Sequence, residues 1–132
     1  MQTEDSRALV LDYMRAQERG DGERMLEILA DDVCWTPPPS VGLGAPRGSQ
    51  NVLQAMGEAG PRFFDLASMK SDVLWIAADG DKVIVRIHME AKAASGRDYS
   101  NEYVWVYQCA DGKIVDIEEH TDSRRFTEIV LD

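Results

Sequence analysis

Residues 69–122 hold four runs of strand-like sequence with almost nothing between them. The first two runs, about 69–78 and 82–93, are joined by "ADGDK", and the last two, about 99–109 and 113–122, by "ADGK". The middle pair is joined by "AASGRD". A parallel neighbour needs a crossover of a dozen or more residues. Links this short return each strand beside the one before it, so the second half of the chain is expected to be an antiparallel meander.

The first half reads differently. Leu9, Val10, Tyr13 and Met14 recur at helical spacing within residues 4–19. Gly20-Asp21-Gly22 ends that helix, and Asp21 is placed to cap a second one over about 22–30. "DDVCWT" reads as a short strand around 32–36, and Pro37-Pro38-Pro39 opens a loop that runs on through "SVGLGAPRG". Ser49 can cap a third helix near 50–58, which "GEAGPRFFDL" interrupts. Three helices followed by a curved antiparallel sheet give an α+β fold, with one domain expected over residues 1–132. Phe126, Ile129 and Val130 in the tail are spaced to pack back on the sheet or on a partner subunit.

Within the second strand run, Val83, Val85, Ile87 and Met89 alternate with Ile84, Arg86, His88 and Glu90. Successive strand side chains point to opposite faces. The polar row therefore faces either solvent or a cavity, and only the second choice makes it a site. In the third run Asn101, Tyr103, Trp105 and Tyr107 share a face that suits either a flat ligand or a dimer interface. Asp116, Glu118, His120 and Asp122 share a parity in the last run. Trp35 and Phe63 are candidates for core or ligand wall, and Tyr13 for core or site.

Charge narrows the possible partners. A net charge of −10 with scattered Lys and Arg argues against nucleic acid. No apolar run is long enough for a membrane span, and the N-terminus lacks a signal-peptide pattern, which points to the cytoplasm. Cys34 and Cys109 match no metal or redox spacing, and two histidines make no evident metal site. Neither a metal nor a cofactor is expected.

The segments "YMRAQERGDGERMLEILADDVCW" and "GRDYSNEYVWVYQCADGKIVDIEEHTDS" resemble the nuclear-transport-factor-2-like superfamily, within it the SnoaL-like and ketosteroid-isomerase-like proteins. The helix–"GD"–helix–"ADD" opening and the "DGKI" hairpin followed by "EEHTD" carry the likeness. The resemblance implies a cone in which a strongly curved, mainly antiparallel sheet wraps helices around a deep pocket (a cystatin-like arrangement), and homodimers packed through the sheets. Members include isomerases, polyketide cyclases, dehydratases, epoxide hydrolases and non-catalytic binders, so the fold alone does not give the reaction.

The C-terminal half also resembles limonene-epoxide-hydrolase-type enzymes, which hold a water with an Arg and two Asp. That likeness places the Arg on Arg86 and one Asp on Asp122, while His88 stands where the other Asp would be. "VCWT" at 33–36 supplies neither the Tyr nor the Asn of those enzymes. Against the ketosteroid isomerases, Tyr13 matches the helical Tyr, Pro37 replaces the base, and Tyr103 lies near the second oxyanion donor.

The expected function is cofactor-independent acid–base chemistry on a hydrophobic small molecule: isomerisation, cyclisation or dehydration of a polyketide- or steroid-like metabolite. His88, Asp122, Arg86 and Tyr13 are the expected catalytic set, and Trp35, Phe63, Asn101, Tyr103 and Trp105 the expected substrate wall. The alternatives are epoxide opening by a water that Asp122 and His88 activate, and a non-catalytic ligand-binding dimer.

Overall fold

The computed structural model describes residues 1–132. Helix α1 spans Thr3–Glu18 and buries Ser6, Val10, Tyr13 and Ala16 on one stripe. Helix α2, Gly22–Ile28, starts where the Asp21 side chain accepts a hydrogen bond from the Arg24 amide at 3.0 Å. Strand β1, Leu29–Thr36, follows directly, and Pro37 and Pro38 end it. A short 3-10 turn occupies Pro39–Val41.

Helix α3 runs from Ser49 to Phe63, five residues beyond the expected end. Pro61 sits in its last turn, where a proline removes only one helical bond. The residue four before it is Gly57, which has no side chain to add to the crowding. Phe63, 6% exposed, anchors the helix end in a cluster with Met89, Tyr99, Tyr103 and Phe126, and this tertiary anchor outweighs the local break.

Four strands follow: β2 (Phe64–Asp79), β3 (Lys82–Ala93), β4 (Asp98–Ala110) and β5 (Lys113–Thr121). They pair as the expected antiparallel meander. The β4–β5 turn has Asp111 and Gly112 both at positive φ, 52° and 76°, the backbone that a tight right-twisted hairpin requires. β2 begins at Phe64, earlier than expected, and carries register shifts between Asp65 and Lys70 and between Val73 and Trp75. β1 closes the other side, parallel to β5, so the order is β1-β5-β4-β3-β2. The fold is thus α+β, as the sequence indicated.

One irregularity decides the faces of β5. Cys109 lies opposite Ile114, yet Gln108 lies opposite Asp116, so Val115 is an extra residue in the ladder. Beyond this bulge Tyr107 pairs with Ile117, Trp105 with Glu119 and Tyr103 with Thr121. Across the other edge of β4, Val85 pairs with Trp105 and Ile87 with Tyr103. Val83, Val85, Ile114 and Ile117 are fully buried against α1 and β1 residues such as Val10 and Val33. The helices therefore cover the sheet face that carries the odd-numbered side chains of β3 and β4.

The tail forms a short helix α4, Ser123–Phe126, and a π turn over Thr127–Leu131. Phe126 packs edge-on against Phe63 at 5.2 Å and Tyr99 at 6.1 Å, which returns the chain to the sheet.

Candidate active site

A cavity of about 830 Å³ opens between helices and sheet, a size that suits a multi-ring small molecule. From the sheet it is walled by Trp35, Ile87, Met89, Tyr103, Trp105 and Tyr107. Phe63, Met56 and Met14 close it from the helical side, Phe64 lines it from the start of β2, and Pro37, Pro38, Val41 and Leu43 of the proline-rich loop line its edge. Of the six methionines in the chain, Met14, Met56, Met69 and Met89 all face this space. Methionine is flexible and polarisable, and it packs well against aromatic rings of varied shape.

Few polar groups break the apolar wall. Arg15, Gln17 and Glu18 of α1 stand exposed at its rim. Deeper in are Glu119 and Thr121 of β5, with the hydroxyls of Tyr103 and Tyr107 on β4. Glu119 accepts one hydrogen bond, from Trp35 Nε1 at 3.2 Å. Desolvation disfavours the carboxylate, and one indole donor offsets this only in part, so its pKa is pushed up to about 7. Burial also raises the Tyr103 hydroxyl, the neighbouring Tyr99 hydroxyl adds to the effect, and the Glu119 charge adds less. A carboxyl that titrates near neutrality inside an apolar cavity can both take and return a proton.

The structure brings Trp35, Phe63, Tyr103 and Trp105 to the cavity. It does not bring the expected catalytic set there. Arg86, His88 and Glu90 lie on the opposite sheet face. Arg86 donates from Nε to Glu102 Oε1 at 2.9 Å, and His88 Nε2 stands 3.3 Å from Glu90 Oε1. The physical reason is burial. The apolar row of β3 packs under the helices, and strand alternation sends the polar row outward.

Asp122 is not in a strand. The ladder ends at Thr121, and the Asp122 carboxylate caps α4 by accepting from the Arg125 amide at 3.1 Å. Tyr13 is 1% exposed and does not line the cavity. Its hydroxyl donates to Met56 Sδ at 3.7 Å, and its ring packs edge-on to Tyr107. Asn101 is buried behind the wall, bonded to Tyr99 and to the Asp122 carbonyl. No group of three or more His, Cys, Asp or Glu side chains converges anywhere in the chain.

Glu119 is the residue that sequence reasoning misses. The signal was Ile117: an apolar residue set between Asp116 and Glu118 marks the inward face of that stretch, and Glu119, two residues on, shares it.

Residues 10–117 match the model of the SnoaL-like domain family. Among curated proteins nothing matches the chain. Among solved structures, an NTF2-like protein of unknown function from Burkholderia pseudomallei superposes with a TM-score of 0.86 at 24% identity, over 97% of this chain and 98% of its own. An LEH-like epoxide hydrolase from M. tuberculosis gives 0.74 at 18% identity, over 98% and 91%. A ketosteroid isomerase-like protein from Kribbella flavida gives 0.74 at 21%, over 90% and 78%. At these identities the likeness is one of fold.

Proposed function

The chain belongs to the SnoaL-like domain family, and from that premise and its cavity we propose that it is a cofactor-independent acid–base enzyme for a hydrophobic, carbonyl-bearing small molecule. The reaction class is isomerisation, cyclisation or dehydration. The observation that carries this reading is Glu119, a lone carboxyl deep in an apolar, aromatic cavity and held by a single indole hydrogen bond. Its carboxylate would remove a proton from the carbon beside the carbonyl and return that proton, or one from solvent, at the product carbon. The aromatic and methionine walls would hold the ring system by contact rather than by specific polar recognition.

His88 and Asp122 lie outside the cavity, so the epoxide-opening alternative built on them finds no support in this geometry.

The reading is tested with 2-tetralone, a bicyclic ketone with acidic protons beside its carbonyl. Wild-type protein in deuterated buffer should accelerate hydrogen–deuterium exchange at that carbon saturably. The rate should rise through an apparent pKa near the Glu119 value of about 7. Glu119→Gln should lose about 100-fold or more of that acceleration. No acceleration by the wild type, or full retention in Glu119→Gln, would reject the assignment.

We further propose a homodimer through the outer sheet face. There Trp75 is 46% exposed beside the Arg86–Glu102 pair, with Ile84, Val104 and Val106 partly exposed around it. Sedimentation of the wild type should give a dimer, and Trp75→Glu a monomer. The two unpaired cysteines suit a reducing, cytoplasmic setting, which completes the proposal.

A further inference from the structure

Behind the cavity wall lies a buried polar chain that the reading above does not use. Asn101 is 7% exposed, and its side-chain amide is fully engaged. Its Oδ1 accepts from the Glu102 amide at 2.9 Å. Only the carbonyl end of an amide can accept an N–H, so this bond fixes which way the side chain points. Its Nδ2 then donates twice, to the Asp122 carbonyl at 3.0 Å and to the Tyr99 hydroxyl at 2.8 Å.

Tyr99 is 2% exposed, and its only other hydrogen-bond partner is the Tyr103 hydroxyl, 2.6 Å away. A phenol has one proton to give. If Tyr103 donated to Tyr99, the Tyr99 oxygen would accept twice and its own proton would be buried without an acceptor. The arrangement that leaves no orphan is Asn101 to Tyr99 to Tyr103. The Tyr103 proton is then released from the chain, and Tyr103 lines the cavity. Thr121, across the ladder, gives its own proton to the Glu102 carbonyl, and its oxygen lies close enough to the Tyr103 hydroxyl to accept that proton until a ligand acceptor in the cavity replaces it.

We infer that Asn101 is a positioning residue that sets the direction of this chain, so that Tyr103 presents a polarised proton to the cavity and selects ligands with an acceptor oxygen there. The ligand class is aromatic or polycyclic ketones, and the enolates or phenolates derived from them, over hydrocarbons of the same shape. The inference rests on the reading of this cavity as the ligand site. Successive donors in such a chain polarise one another, which strengthens the last bond. Glu119 and Tyr103 face the same cavity from neighbouring strands, so one ligand carbon can meet the carboxyl while its oxygen meets the phenol.

The test compares 2-acetylnaphthalene, labelled with 13C at its carbonyl, with 2-isopropenylnaphthalene, the hydrocarbon of matching shape. Wild-type protein should move the bound carbonyl stretch to lower wavenumber than in a hydrocarbon solvent. Tyr103→Phe should abolish that displacement and weaken the ketone by about fivefold, with the hydrocarbon unchanged. Asn101→Asp should do the same, because a carboxylate at 101 cannot donate to Tyr99. It accepts a hydrogen bond from the Tyr99 hydroxyl instead, and Tyr99 then accepts one from Tyr103. A purely structural Asn101 would weaken both probes alike and leave the band in place.

Should Asn101→Asp fail to fold, Tyr99→Phe reads the same chain: the displacement should shrink but persist, and no change refutes the role of Asn101. Wild-type protein that binds the ketone no better than Tyr103→Phe overturns the inference. The band requires no proton transfer. A wild type that shifts the band but does not exchange 2-tetralone therefore counts only against Glu119, and the converse only against this chain.

Discussion

Glu119→Gln should make the protein more stable above neutral pH while leaving it nearly unchanged in acid. Glutamine keeps an oxygen for the Trp35 indole, so the shape and the one hydrogen bond survive. The titration is lost. In the wild type the carboxyl rises from an ordinary 4.5 to about 7 on folding. At about 1.36 kcal/mol per pH unit, that rise corresponds to about 3 kcal/mol. The folded state binds the proton more tightly than the unfolded chain. Below about pH 4.5 both states hold it, and Glu119 costs nothing by this route. Between about pH 4.5 and 7 the unfolded chain ionises first, and wild-type stability falls relative to the variant. Above about pH 7 both states are ionised and the gap is constant. Asp116, whose carboxyl burial also pushes up, titrates alike in both proteins and cancels in the difference. Urea unfolding of both proteins at half-unit steps from about pH 4 to 8 measures this gap directly. A gap that opens by about 2–3 kcal/mol over that window supports the argument. A gap constant within about 0.5 kcal/mol would show that the carboxyl is well solvated, and the case for it as a proton shuttle would fall with it.

Other changes separate the cavity from its surroundings. Tyr13→Phe loses only a long hydroxyl–sulfur contact and should cost less than about 1 kcal/mol by thermal melting, with 2-tetralone exchange unchanged. Arg86→Ala and His88→Ala alter the outer face, so exchange in the cavity should stay within about twofold of wild type, the scale of experimental scatter against the losses that true catalytic groups show. A large loss in either would mean that the polar row works after all. Asp122→Ala removes a helix cap and should cost about 1 kcal/mol, seen as faster amide exchange confined to residues 123–131.

The meander was legible because link length and turn chemistry leave no other topology for residues 69–122. Asp111 and Gly112 adopt the positive φ values that the "DG" pair suggested. The parallel edge was not legible, because nothing in "DDVCWT" says which strand it joins, and the partner, β5, is some eighty residues downstream. The length of α3 was hidden because Pro61 reads as a break, while the burial of Phe63 that overrides it is a tertiary fact. At the site, the aromatic face of β4 could be seen, but its partner across the ladder could not. Glu118 and Glu119 are the same residue type, and the choice between them is made by the Val115 bulge. Arg86 and His88 attract attention because ionisable side chains attract functional readings. Yet the uninterrupted Val83–Met89 apolar row is the better guide to which side of β3 is covered.

Val115 also bears on how faithfully the protein must fold. Because of that one residue, Ile114 and Ile117 both point inward although an odd number of positions separates them. The stretch after it can sit in the ladder in only two phases. One buries Ile117, Glu119 and Thr121, and the other would bury Asp116, Glu118 and His120. A slip would not blur the site; it would substitute another chemistry for it. The apolar walls forbid this, since placing two carboxylates and an imidazole among aromatic rings costs several kcal/mol without partners to compensate. The same surroundings that tune one acid therefore proofread the register of the strand that delivers it.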